Sequence, residues 1–248
     1  MSSRFSGAFI SQKQRRKLYD TFGGLVYYGP FSTLKIQKKM FGILEYNEIL
    51  GTYESCLHEA ILNLTTKNYK TIMIIGAYHG YYVAGLALIS NCNEVIAFEK
   101  DVYLHEVIRS WWDVNDLPRL TLKAEATIDE MTASDNNTGF VFCDCEGDEI
   151  SLLDPQKFPW QAHADFIIEL HDFYKPGILK NLRSRFSKTH KCQVIFDNLN
   201  ERELNKSIIE PFKIKLNFDE FPLHRWIRVN NVVTYTFGRF LILEKNDS

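Results

Sequence analysis

The sequence lacks an excess of charge of either sign and any long apolar run. Its 29 lysines and arginines nearly balance 31 aspartates and glutamates, for a net charge of −2. A balanced chain has no overall positive field for nucleic acid or for an anionic membrane surface. No stretch approaches the 18 apolar residues of a membrane-spanning helix, and no secretory signal pattern is present. The composition therefore predicts a cytoplasmic protein with no membrane span and no nucleic-acid partner.

Cysteine is also scarce. The five cysteines are an odd number, and their scattered positions lack the paired spacing of a disulfide framework or a structural zinc site. We therefore predict that the five cysteines are reduced thiols. Neither a repeat of solenoid length nor a low-complexity linker divides the chain, so its length fits one large domain. We expect residues 1–50, which are basic and aromatic, to form a small N-terminal cap, and residues 51–248 to form the main domain.

What the sequence does contain is an alternation of strand-like and helix-like segments. Strand-like runs occur at "TIMIIGA", "EVIAFEK", "LTLKA", "GFVFCDCEG", "ADFIIELHDF", "CQVIFDN" and "VVTYTFGRFLILEK". Helical patterns lie between most of them, which is typical of βαβ units. The pattern predicts an α/β fold with seven mostly parallel strands, helices on both faces and an antiparallel last strand. No full helix is expected between the last two strands.

Two further elements are predicted ahead of this alternation. The segment "GGLVYYGPFSTLKI" is interpreted as two short strands around Gly29 and Pro30. The segment "YESCLHEAILNLTT" has apolar residues at helical spacing and predicts an amphipathic helix.

The turn after the first strand of the alternation carries two glycines. It reads Gly76, Ala77, Tyr78, His79, Gly80. In open α/β sheets ligands bind at the carboxyl ends of the strands, and glycine lets the backbone approach them closely. The G-x-x-x-G spacing differs from the G-x-G-x-x-G of dinucleotide sites, which argues against a nicotinamide-dependent oxidoreductase. A tight turn without a ligand is the alternative.

Glu99 ends the second strand, 23 residues after Gly76. An acidic residue about 20 residues beyond the glycine turn is suited to accept hydrogen bonds from both ribose hydroxyls. The alternative is that Glu99 is an ordinary surface glutamate, but its spacing from the glycine turn favours nucleoside binding.

Acidic residues and a histidine follow the fourth and fifth strands. Because side chains alternate along a strand, Asp144 and Glu146 are expected on the same face of the fourth strand. In the same way, Glu169 and His171 are expected on the same face of the fifth strand. A carboxylate beside an imidazole is a suitable general base. Three alternatives stay open. Proton transfer at His171, oriented by Glu169 or Glu146, is the favoured one. A divalent cation held by Asp144, Glu169 and His171 is the second and is not favoured, and a purely structural cluster is the third.

The sequence gives less indication of a function for the remaining charged residues and histidines. We interpret Asp148 and Glu149 as an acidic loop. His79, His105 and His224 have no sequence neighbours that indicate chemistry, although His79 lies within the glycine turn.

Five motifs, taken in order, resemble the FkbM family of S-adenosylmethionine-dependent methyltransferases. They are "GTYE", "IIGAYHGYYVAGLA", "VIAFEKD", "CDCEGDE" and "FIIELHDF". The resemblance covers residues 45–245, and the predicted sheet is also the plan of class I methyltransferases, a Rossmann-like fold. It implies methylation of a hydroxyl on a sugar or small metabolite. The acceptor would be a small molecule or a glycan.

The resemblance also implies roles for individual residues. Gly76 to Gly80, with Ala77, Tyr78 and His79, would line the amino-acid part of the cofactor. Glu99 would hold its ribose, with Lys100 beside it, and Asp144 would face the methionine end. Glu54, the acidic residue of "GTYE", is expected near the cofactor.

The chain departs from the family pattern at several positions. Tyr78 and His79 stand where the family has asparagine and an apolar residue, Lys100 where proline is usual and Cys145 where an apolar residue is common. A methyltransferase fold that has lost activity and serves as a binding or assembly subunit is therefore the alternative function.

Overall fold

The structure is a computed structural model of the chain. It describes residues 11–40, 42–134, 137–197, 201–214, 216, 226–229, 232–235 and 238–246. The chain forms two compact units. The first comprises Met1–His58 and Phe196–Gly238, and the second comprises Glu59–Ile195 and Arg239–Ser248.

The second unit is built on a seven-stranded sheet. Its strands are β1 (Thr71–Ile75), β2 (Glu94–Phe98), β3 (Arg119–Lys123), β4 (Thr138–Cys143), β5 (Asp165–Glu169), β6 (His190–Phe196) and β9 (Arg239–Lys245). They lie in the order β3-β2-β1-β4-β5-β9-β6. Pairing is parallel from β3 through to β5, whereas β9 runs antiparallel to β5.

Helices cover both faces of this sheet. They are α3 (His58–Thr65), α4 (Tyr81–Ile89), α5 (Leu104–Trp112), α6 (Ile128–Ala133), α7 (Glu149–Leu152) and α8 (Ile178–Phe186). All five residues of β1 are buried, as expected for a strand covered on both sides. Met73 and Ile75 pack in a core cluster with buried residues of α6, α7 and α8. Ile72 and Ile74 point the other way, toward the face on which α4 contacts β1.

The predicted fold class is confirmed. The sheet has six parallel strands and an antiparallel last strand, the arrangement expected for a Rossmann-like class I methyltransferase fold. The central strands have the apolar β-branched composition that suits a doubly covered sheet.

Two details of the prediction are wrong. A full helix, α9 (Glu201–Ile209), lies between β6 and β9. The run "VVTYTFGRFLILEK" is two strands, β8 (Val232–Tyr235) and β9, and β8 pairs with β7 (Trp226–Val229) in a separate hairpin. The apolar run was too long for one strand.

The first unit contains α1 (Gln12–Thr21), α2 (Tyr46–Leu50), α9 and the β7-β8 hairpin. The two short strands predicted around Gly29 and Pro30 are absent from the described residues 22–36, which form turns and one isolated bridge between Leu25 and Lys35. Positive φ angles at Gly29 and Thr33 interrupt the extended backbone. Among the described residues, no helix has both the length and the apolar character needed to cross a membrane.

Candidate functional site

Two acidic residues meet where the neighbouring parallel strands β4 and β5 end. Cys143 on β4 is opposite Ile168 on β5, so Asp144 and Glu169 come next at the same edge of the sheet. The Asp144 backbone N–H donates to Ile75 O at 2.9 Å, which fixes the end of β4 against β1. The carboxyl edge of the sheet is where open α/β folds bind ligands.

His171 lies between the carboxylates that follow these two strands. Its ring is buried, with Nε2 3.5 Å from Asp144 Oδ1 and 3.6 Å from Glu146 Oε2. On the opposite side of the ring, Nδ1 lies 2.5 Å from Oε1 of Glu149. We call Asp144, Glu146, Glu149, Glu169 and His171 the acidic cluster.

The acidic cluster changes the protonation of its histidine. Burial disfavours the charged imidazolium, but the hydrogen bond to Glu149 and the negative charges of Glu169 and Asp144 outweigh it. Together they raise the pKa of His171 to about 10. The isolated protein therefore holds His171 as an imidazolium at neutral pH.

The loop that carries His171 is anchored on both sides. The Leu170 N–H donates to Arg239 O, and Arg239 forms an ion pair with Asp172 at 2.8 Å. Asp172 also accepts hydrogen bonds from the backbone N–H groups of Gly177 and Leu179 at the start of α8. The ring of His171 is thus positioned by secondary structure on either side of the loop.

Three residues of the acidic cluster have the geometry of a metal ligand set. Asp144, Glu169 and His171 each offer one ligand atom, and these atoms all lie within 4.8 Å of one another. The cation set suggested by the sequence is therefore brought together in the fold.

The glycine turn at the end of β1 sits directly beside Asp144. Gly76 has a φ of +86°, and a Cβ atom there would lie 1.7 Å from the Asp144 carbonyl oxygen. Gly80 also has a positive φ, and a Cβ there would lie 3.0 Å from the Trp111 ring. The sequence pattern attributed both glycines to the approach of a ligand. The protein's own packing already requires them.

The two bulky residues of the turn differ in exposure. His79 is buried, and its carbonyl oxygen accepts a hydrogen bond from Trp111 Nε1 at 3.0 Å. Tyr78 has a φ of +48° and is 51% exposed, and its ring centroid lies 4.3 Å from that of His79. Ala77 is buried, and its N–H donates to Phe98 O on β2.

Glu99 links the glycine turn to the end of β2. Its Oε2 accepts the Tyr78 N–H at 2.6 Å, and its Oε1 accepts the Asp101 N–H at 2.8 Å. A ring nitrogen of His105 contacts the Glu99 carbonyl oxygen at 2.8 Å. Each carboxylate oxygen retains a second lone pair, so the side chain is positioned and can still accept ribose hydroxyls.

The other residues named in the sequence prediction are Lys100, Glu54 and His224. Lys100 is exposed and forms an ion pair with Glu125 at 3.0 Å. Glu54 belongs to the first unit, where it is buried with a φ of +47°. His224 is outside the described residues.

The structure thus gathers the predicted residues into two groups in the second unit. One is the glycine turn with Glu99, and the other is the acidic cluster. Glu149 is the member that sequence reasoning missed, since it was assigned to an acidic loop and is fully buried against His171. One feature of the sequence could have indicated that Glu149 is buried: it is the last acidic residue of "CDCEGDE" and directly precedes the apolar residues of α7.

Comparisons with known proteins give structural neighbours and no sequence relatives. No protein-family model matches the chain, and no curated protein matches it. The chain resembles a spermidine synthase from Thermotoga maritima (14% identity, TM-score 0.46, covering 77% of this chain and 59% of that one). It also resembles the O-methyltransferase TomG from Streptomyces achromogenes in complex with SAM (12%, TM-score 0.45, 96% and 92%). A third neighbour is the O-methyltransferase from Bacillus cereus in complex with SAH (10%, TM-score 0.44, 95% and 93%).

The chain spans about three fifths of the length of the spermidine synthases it matches. At these identities the neighbours assign neither a family nor a substrate. The fold assignment rests on the strand order of the chain itself, and the FkbM resemblance stays a prediction.

Proposed function

We propose that this chain is an S-adenosylmethionine-dependent methyltransferase of the FkbM type, which methylates a hydroxyl oxygen of a sugar or small metabolite. The observation that carries the proposal is the pair of groups along one sheet edge. Glu99, whose carboxylate is placed for a ribose, directly follows β2, and the acidic cluster follows β4 and β5. The strand order β3-β2-β1-β4-β5-β9-β6 supports the same class.

The residues at the ends of β1 and β2 fit an adenosine-containing cofactor. Glu99 is held by two backbone N–H groups and accepts the ribose hydroxyls. The turn from Gly76 to Gly80 runs along the amino-acid part of the cofactor, with the exposed ring of Tyr78 against it. Asp144 is assigned to the methionine end, because it follows β4 directly beside the turn that begins at Gly76.

The acidic cluster receives the acceptor. S-adenosylmethionine supplies an activated methyl group, so the protein must orient one hydroxyl and remove its proton. Glu146 is the carboxylate suited to take that proton. Its side chain is 41% exposed, whereas those of Asp144 and Glu149 are 21% and 0% exposed. The sequence assigned this role to His171, oriented by Glu169 or Glu146. Because the pKa of His171 is raised to about 10, we assign the proton transfer to Glu146 instead, with Nε2 of His171 3.6 Å from its Oε2.

Calorimetry with S-adenosylhomocysteine tests cofactor binding. We expect saturable binding by the wild type and a loss of roughly 10- to 100-fold in Glu99→Gln, because the variant loses a charge-assisted hydrogen bond to the ribose. Glutamine keeps the size of the side chain and one acceptor oxygen for the turn. Glu106→Gln, an exposed glutamate on α5, is the matched control and should bind normally.

Absence of binding heat by the wild type would reject the cofactor assignment. A labelled-methyl transfer screen against small-molecule and glycan extracts tests the reaction itself. Cofactor binding with no labelled product would favour the alternative of a binding or assembly subunit.

A further inference from the structure

The ligand atoms of Asp144, Glu169 and His171 all lie within 4.8 Å of one another, close enough for one ion to contact all three. In a six-coordinate site with bonds of about 2.1 Å, neighbouring ligand atoms lie roughly 3.0 Å apart and opposite ones roughly 4.2 Å apart. Nε2 of His171 is 3.5 Å from Asp144 Oδ1, longer than a good hydrogen bond and within this range. This separation leaves room for a cation between the two atoms in place of the proton on Nε2.

Glu149 provides an independent observation. It is fully buried, and its Oε1 holds Nδ1 of the His171 ring. This contact directs Nε2 toward Asp144. In the part of the chain that the structure describes, the buried Oε2 of Glu149 has no hydrogen-bond partner. A buried carboxylate behind a histidine is the arrangement that fixes the tautomer and raises the basicity of a metal-binding imidazole.

We infer that Asp144, Glu169 and His171 bind a divalent cation of the Mn²⁺ class, with Glu149 as the carboxylate that positions His171. Two carboxylates and one imidazole are ligands that suit such an ion. The inference rests on the proposed function, because the ion would bind the acceptor oxygen and lower the pKa of its hydroxyl. The hydroxyl proton passes to Glu146, and the oxygen forms a bond to the methyl carbon as the carbon–sulfur bond breaks.

Mn²⁺ titration followed by electron paramagnetic resonance tests the site directly. The full-length protein is treated with EDTA and exchanged into metal-free buffer, and the signal of free Mn²⁺ is measured as ion is added. Mn²⁺ is preferred to Zn²⁺ because the free thiols of Cys143 and Cys145, with Sγ atoms 3.6 Å apart, would also bind zinc. We expect one ion per chain.

Isosteric variants assign the ion to its ligands. Glu169→Gln and Asp144→Asn should each weaken Mn²⁺ binding by at least about tenfold, and Glu149→Gln by roughly 10- to 100-fold. The matched control is Asp148→Asn. Asp148 lies in the same loop, but it is exposed and paired with Lys175, so its variant should bind Mn²⁺ like the wild type.

Circular dichroism confirms that each variant is folded, and Glu169→Gln decides the test if Asp144→Asn does not fold. No saturable Mn²⁺ binding by the wild type overturns the inference, as does wild-type affinity in Glu169→Gln. S-adenosylhomocysteine binding is measured in the same preparation. If S-adenosylhomocysteine binds but Mn²⁺ does not, the inference fails and the proposed function is retained. If Mn²⁺ binds specifically but S-adenosylhomocysteine does not, the proposed function is rejected and the cation site is retained.

Discussion

At the scale of single residues, Gly76 shows how closely the ends of β1 and β4 approach each other. The space that a side chain would fill at residue 76 is occupied by the Asp144 carbonyl oxygen. The glycine therefore sets the position of Asp144, which belongs to the acidic cluster. Gly76, which we also propose to lie along the cofactor, thus acts on the site through the backbone of its neighbour.

Gly76→Ala should lower the free energy of unfolding by more than about 3 kcal/mol, because it combines a positive φ with a backbone clash. Gly23→Ala separates the two effects. Gly23 has a φ of +64° but no atom within 4 Å of the added Cβ, so the loss there should be about 1 kcal/mol. Urea unfolding measures both, and equal losses would contradict the clash.

His58 predicts a pH-dependent stability. Burial lowers its pKa to about 4, although a backbone hydrogen bond with Tyr53 opposes the shift. The folded state keeps His58 neutral while the unfolded chain takes up a proton below pH 6.5, so this stability is present above pH 6.5 and is lost as the pH falls toward 4. Between pH 7 and pH 5 the loss should be about 2 kcal/mol.

Urea unfolding at both pH values measures this loss. In His58→Gln, which does not titrate in this range, the difference between the two pH values should be smaller than in the wild type. An unchanged difference would show that other groups cause it.

Most site residues could be predicted from the sequence because they follow strands. Alternation and strand ends placed Asp144, Glu169 and His171 together, and the structure brings their ligand atoms within 4.8 Å. Glu149 could not be placed in this way. Its contact with His171 depends on the turn at Glu146 and Gly147, both with positive φ, which returns the chain toward the ring.

At the scale of elements, Asp165 connects the start of β5 to its surroundings. Its buried carboxylate accepts the Tyr69 hydroxyl at 2.6 Å, Lys67 Nζ at 3.1 Å and the Lys245 N–H at 2.8 Å. These bonds join the segment after α3, the first residue of β5 and the last residue of β9. Burial and the hydrogen bond to Asp165 raise the pKa of Tyr69, so its hydroxyl stays a donor.

Tyr69→Phe should therefore lower the free energy of unfolding by about 2 kcal/mol, the typical contribution of a buried hydrogen bond to a charged group. Asp165 keeps its bonds to Lys67 and Lys245, so no unpaired charge results. Tyr103→Phe is the control, because Tyr103 is 87% exposed and its change should be near zero in the same urea titration. Equal stability of the two variants would contradict this role for Asp165.

Helix α9 shows why one element was missed. Its buried positions include Glu201, Asn205 and Ile208, at helical spacing but mostly polar. Asn205 accepts a hydrogen bond from Thr52, and Glu201 accepts one from Asn47. An apolar periodicity therefore does not develop, since polar partners distant in sequence satisfy this face.

At the scale of the whole molecule, the strand pattern was sufficient for the architecture of the second unit. Its strands are mostly apolar, and helices such as α5 and α8 have one apolar face, so local periodicity agrees with the tertiary fold. The first unit joins residues 1–58 to residues 196–238, which are distant in sequence. Such a division depends on long-range pairing and has no local signal. The cap role of residues 1–50 and the cytoplasmic location stay predictions.

The position of β9 has a consequence for synthesis on the ribosome. β9 lies between β5 and β6, yet it follows both in the chain, after α9 and the β7-β8 hairpin. Until β9 emerges, the nascent chain exposes the open edges of β5 and β6, which are templates for incorrect pairing. The sheet is therefore complete only after the final strand has been synthesised, and slow elongation through residues 197–238 would prolong the exposure of these edges.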